Sequence, residues 1–235
     1  MRVFFGLFLG LAWPSAYAAP IELNSVVVAQ PPSWLARPKV ERTVARVQKF
    51  LEWDIRKVQV SWYTDAETFR KAHGFDDSVL AFSLKSANTI SIGPRVTSKD
   101  FESVFGHELV HIILFQKYQE AVPRWLEEGM ANYISKHGAV DYKWLATQPH
   151  RPIRSLVHPF AAGAGAVTSA DPPPSPRYHY QASTAVMEMI AGHCDIHSLL
   201  QLTVGEKLES YLGTLCQITD LDTEFAKWLQ RKSRP

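Results

Sequence analysis

The sequence predicts an α+β protein, with a small strand-bearing N-terminal part followed by a mainly helical C-terminal part. Three observations carry this. Alternating apolar runs, the mark of half-buried strands, are confined to residues 57–92. From Ser98 onward, apolar residues recur mostly at helical spacing, and no internal repeat breaks the order. Finally, 235 residues, 46% of them hydrophobic, can bury one good core, which excludes wholesale disorder.

The elements follow in chain order. Met1-Arg2 is a short positive start, and Val3 to Trp13 is an eleven-residue apolar run. That run is too short to cross a bilayer, which needs about 20 residues. Pro14 breaks it, and Ala16-Tyr17-Ala18 fits a small-x-small cleavage site. The expectation is a signal peptide over 1–18 and one exported, periplasmic domain over 19–235, with no membrane span after removal of the leader. Pro38 to Trp53 carries Val40, Val44, Val47, Phe50 and Leu51, the spacing of an amphipathic helix. Lys57 to Tyr63 alternates and reads as a strand. Thr64 or Asp65 can cap a short helix through His73, closed by Gly74. Val79 to Leu84 and Thr89 to Ile92 read as a hairpin around Ser86-Ala87-Asn88.

Ser98 and Asp100 open a long helix to about Gln119, and Pro123 starts another to about Ser135. Residues 136–158 show no clear period. Pro159 to Arg177 is rich in Ala, Gly and Pro and reads as a long loop, expected to act as a flap over a cleft. Helices are then expected over Tyr178 to Gly192, Ile196 to Val204, Lys207 to Leu215 and Leu221 to Leu229.

The net charge is +2, without a basic stripe, so nucleic acid is not an expected partner. Cys194 and Cys216 are an even pair in an exported chain, and the expectation is a disulfide between them. There is no G-x-S-x-G elbow, S-x-x-K or phosphate-binding G-x-x-x-x-G-K.

The residues that carry chemistry are His107-Glu108-Leu109-Val110-His111, in the middle of the long helix. Side chains four apart project from one helix face, so both imidazoles can meet one metal ion. Glu108 flanks that ion and is placed to take a proton from water. Two histidines leave zinc one protein ligand short. A helix beginning at Pro123 can fold back and bring a carboxylate, Glu127 or Glu128, to the same ion. His137, His150, His158, His193 and His197 show no ligand spacing and read as ordinary core or surface residues.

Trp125-Leu126-Glu127-Glu128-Gly129-Met130-Ala131, together with the His-Glu-x-x-His run, resembles the gluzincin metallopeptidases, and more narrowly their peptidase-MA-like branch. The resemblance implies a zincin-like fold and one Zn²⁺ held by His107, His111 and Glu128, with Glu127 as the rival third ligand. Tyr180-Gln181-Ala182-Ser183-Thr184-Ala185 is similar to the family segment whose Tyr stabilises the oxyanion; Tyr178 and His179 are adjacent rivals. Asn132, four residues after Glu128, stands where some gluzincins place an Asp that orients a histidine ligand. The Gly-x-Met-Glu-Asn strand of the family's aminopeptidases is absent. The implied activity is that of a zinc endopeptidase acting on a peptide or protein, with the strand at Thr89 to Ile92 as the edge an extended substrate would join. The alternative is an exported metal-binding or scaffold protein of the same fold that cleaves nothing.

Overall fold

The computed structural model describes residues 18–75, 77–156, 175–203 and 208–234. Its first half is β1 (Ile21–Glu22), β2 (Val26–Val28), α1 (Arg37–Leu51), β3 (Val58–Trp62), α2 (Ala66–His73), β4 (Ala81–Leu84) and β5 (Thr89–Ile92). The second half is α3 (Phe101–Tyr118), α4 (Arg124–Ser135), α5 (Tyr142–Ala146), α6 (Pro176–Ala191), α7 (Ile196–Thr203), α8 (Leu208–Leu215) and α9 (Leu221–Ser233). This is the mixed α+β order the sequence predicts. The pair β1 and β2 escapes the sequence pattern because strands of two and three residues are too short to show a period. Likewise, α5 lies within the stretch that shows no period.

The strands form one sheet in the order β1-β2-β3-β5-β4. Its centre, β2-β3-β5, is parallel, and β1 and β4 close the two sides antiparallel. Parallel neighbours need a crossover, which α1 supplies between β2 and β3. Val58, Val60 and Trp62 of β3 are buried while Gln59 and Ser61 are exposed, so one face of this strand packs on the core. Asp65 caps α2 by accepting from the Thr68 N–H, and Gly74 ends it in the left-handed region at φ 72°.

One expectation is overturned here. Thr89–Ile92 is not an edge: β5 pairs with β3 on one side and β4 on the other. Ile90, Ser91 and Ile92 are all buried, and the turn through Lys85–Ala87 and left-handed Asn88 folds β5 inward. The edge on that side of the sheet is β4, whose residues are half-buried or exposed.

Helix α3 carries apolar residues around most of its circumference and is buried on most sides, from Phe101 and Phe105 to Ile112, Ile113 and Leu114. Such a helix belongs in the middle of a protein. It packs against α1, α4 and the sheet. Buried Gln116, in its last turn, accepts from Trp53 Nε1 and the Arg56 N–H and donates to Asn88 Oδ1. One amide thus ties the segment leading into β3 and the β4–β5 turn to the same helix. Helix α6 begins at Pro176, two residues before the predicted start, with the Ser175 hydroxyl accepting from the Tyr178 N–H. The remainder of the predicted flap, up to residue 174, lies outside the described residues. Cys194 and Cys216 are joined by a disulfide, linking the end of α6 to the end of α8.

Helices α4 and α6 approach closely at Gly129. A Cβ on Gly129 would lie 2.4 Å from the Ser183 carbonyl oxygen and 2.9 Å from Met187 Cβ. Alanine would gain about 1 kcal/mol of helix propensity, but only by pushing a backbone aside. Overpacking of this kind costs about 1–3 kcal/mol, so the clash wins. Gly129→Ala is expected to lower the urea midpoint; an unchanged or raised midpoint would show that α6 does not approach so closely.

Candidate active site

Helix α3 carries His107 and His111 on one face, and α4 runs back along it, with Gly106 against Ser135 and His111 against Glu127. Three donor groups converge at this seam. His107 Nε2 and His111 Nε2 are 3.1 Å apart. Glu128 Oε2 is 3.5 Å from His107 Nε2, and Glu128 Oε1 is 3.7 Å from His111 Nε2. His107, His111 and Glu128 can therefore hold a metal ion, with one donor atom of each within 4.8 Å of the others. Two neutral imidazoles and a carboxylate are a donor set suited to a divalent ion of the first transition row or zinc.

Glu127 points elsewhere. Its Oε1 lies 2.9 Å from His111 Nδ1 and 3.2 Å from Lys85 Nζ, and its Oε2 lies 2.8 Å from Arg124 Nη1. Burial works against the ionised Glu127, but the His111 contact, Lys85 and Arg124 outweigh it and hold the carboxyl at about 2. Burial also disfavours a charged His111. The carboxylate of Glu128, followed by the Glu127 hydrogen bond, overcomes this and raises His111 to about 9. The seam is electronegative and favours a cation between its carboxylates.

The seam opens on a cavity of about 580 Å³. Glu108 lines it beside the two histidines, Tyr180 and Thr184 line it from α6, and Val79 to Ser83 form the wall on the β4 side. Of the three candidates at the start of α6, only Tyr180 lines the cavity. Tyr178 and His179 are buried, Tyr178 hydrogen-bonding to the Arg151 backbone.

Asn132 does not take the place expected of it. Its amide donates to Thr184 Oγ1, whose own proton is committed to the Tyr180 carbonyl. That commitment fixes which end of the amide faces α6. Among the described residues no hydrogen bond joins Asn132 to either imidazole, and its Oδ1 has no partner. The carboxylate on a histidine ring is that of Glu127, which sequence reasoning treated only as a rival ligand. His137 was also missed. It lines the cavity with its ring centroid 5.4 Å from that of His107, and burial, followed by the neighbouring His107, lowers it to about 4. No spacing rule finds it, because left-handed Lys136, the C-cap of α4, turns the chain back toward the cleft.

Fold and site together define a mixed α+β protein whose cleft is floored by a histidine–glutamate cluster able to hold a metal ion. A sequence model of the family described as "Peptidase of plants and bacteria" matches residues 33–150, half of the chain. The chain belongs to this peptidase family, and its substrate class is peptide or protein. No curated protein matches it.

The charged contacts at the seam predict how the protein behaves without metal. Glu127, lowered from 4.5 to about 2, contributes stability that is complete above pH 4.5 and is lost as pH falls toward 2. His111, raised from 6.5 to about 9, contributes stability that is complete below pH 6.5 and is lost as pH rises through 9. Chelator-treated protein should therefore have its highest Tm between pH 4.5 and 6.5 on account of this pair, and Glu127→Gln should flatten both limbs. A wild-type Tm that does not fall between pH 6.5 and 9 would contradict the raised imidazole.

Proposed function

We propose that this chain is a zinc-dependent endopeptidase of the gluzincin type, exported and active as a single zincin-like domain over residues 19–235. The observation that carries the proposal is the convergence of His107, His111 and Glu128 on the cavity that Glu108 and Tyr180 also line. A tetrahedral zinc with bonds of about 2.0–2.1 Å sets its donors about 3.4 Å apart. The two imidazole nitrogens, 3.1 Å apart, are close to that value; each lies nearest a different oxygen of Glu128, at 3.5 and 3.7 Å, and one donor atom of each residue lies within 4.8 Å of the others.

Each residue then has a task. His107, His111 and Glu128 would hold the ion at the wall of the cavity. A zinc ion bound there supplies Lewis acidity toward a peptide carbonyl and acidifies water. Glu108 Oε accepts the proton from the attacking water and delivers it to the leaving amide nitrogen. The Tyr180 hydroxyl donates to the oxyanion as the carbonyl becomes tetrahedral. The β4 edge offers unpaired backbone groups along the wall, where an extended peptide can add as a further strand. The sequence has no Gly-x-Met-Glu-Asn strand to capture a free amine, which favours internal cleavage. Export is supported by the leader and by the Cys194–Cys216 bridge, since such bridges persist in oxidising compartments.

Elemental analysis of the purified protein should find one zinc per chain, lost on Glu128→Ala. Glu108→Gln should keep the zinc but cleave an unfolded polypeptide about 10²–10⁴ times more slowly. Tyr180→Phe should lower kcat by about 10²–10³ with little change in KM. Wild-type protein without stoichiometric zinc, or Glu108→Gln with undiminished cleavage, would refute the proposal.

A further inference from the structure

We infer that Glu127 is a positioning residue for the metal site, its carboxylate fixing the His111 ring and linking it, through Lys85, to the end of edge strand β4. The inference rests on the metallopeptidase reading above and adds to it a task that the ligand motif does not assign.

The geometry is specific. A carboxylate is an acceptor only, and all three of its close partners at Glu127 are donors. His111 Nδ1 and Lys85 Nζ share Oε1, at 2.9 and 3.2 Å, while Arg124 Nη1 takes Oε2 at 2.8 Å. The Glu127 side chain is only 5% exposed and that of Lys85 15%, so these contacts are not a screened surface pair. With its Nδ1–H given to Glu127, the neutral His111 ring has its lone pair on Nε2, the nitrogen that faces His107 and Glu128. A carboxylate behind a ligating imidazole sets its ring orientation and raises its basicity.

Neighbouring positions on a helix differ by about 100° around its axis, so Glu128 can face the ion while Glu127 reaches behind the ring. Asn132 does not compete for this task, since it is turned to Thr184. Lys85 follows β4 directly and lines the cavity, so the same carboxylate that orients the ring also anchors the end of the strand proposed to receive substrate.

The test measures zinc affinity of the full chain by competition with a chelator, together with the cobalt(II) absorption spectrum. Glu127→Ala should weaken zinc about 10–100-fold, shift the cobalt bands and still take up one ion per chain at saturation. Glu127→Gln keeps the shape and an acceptor for Nδ1–H, and should lose several-fold. Lys85→Met should raise KM for an unfolded polypeptide by more than it lowers kcat. Circular dichroism identifies any variant that does not fold, and Glu127→Gln, the isosteric change, then decides alone. Wild-type affinity and spectrum in the folded Glu127 variants would overturn the inference. So would complete loss of metal in Glu127→Ala with retention in Glu128→Ala, which would make Glu127 the ligand. If the wild-type protein takes up neither zinc nor cobalt, the metal site itself falls, an outcome distinct from failure of the positioning role.

Discussion

The seam between α3 and α4 contains Glu108, Glu127, Glu128, His107 and His111, all but His107 under one-tenth exposed, in surroundings otherwise dominated by Phe, Ile and Leu. A buried charge without a partner costs several kcal/mol, so the two most deeply buried carboxylates of this seam, Glu127 and Glu128, depend on the groups that face them. Lys85 and Arg124 answer Glu127, and the two imidazoles answer Glu128. The apolar envelope of α3 holds the histidines at a fixed depth, and the sheet and α6 close the sides. Dense packing is what keeps the donors near 3–4 Å rather than letting them relax apart.

How much of this was legible in the sequence depended on whether the deciding interaction was local. His107, Glu108 and His111 could be placed because a spacing of four defines one helix face whatever surrounds it. The roles of Glu127 and Glu128 could be told apart only by motif. They are adjacent on one helix, and which of them faces the ion depends on how α4 is rotated, which close packing on α6 at Gly129 fixes. Asn132 illustrates the same limit: its partner, Thr184, is 52 positions away. In the sheet, β3 was visible through its alternation, but whether Thr89–Ile92 stood at the edge or inside depended on pairings no local pattern records.

The family match covers residues 33–150 and so includes the sheet from its β3–β5 core to the β4 edge, as well as both helices of the donor cluster. Tyr180 and the rest of α6 lie beyond it. The cleft thus has one wall inside the matched region and one outside, and the second wall is joined to the first chiefly by the contact between α4 and α6.

That contact gives the cleft a stiff side and a compliant side. On the α6 side, Asn132 donates to Thr184, and Thr184 donates to the Tyr180 carbonyl, inside a seam with no room for a methyl group at Gly129. Sliding α6 along α4 would break the Asn132–Thr184 hydrogen bond and force backbones into each other. On the opposite side, β4 is hydrogen-bonded to one neighbour only and is half open to solvent. Local openings are least costly where backbone pairing and burial are least. Of the two banks of the groove, the strand is therefore the one that yields at least cost, while the bank that carries Tyr180 stays fixed against α4.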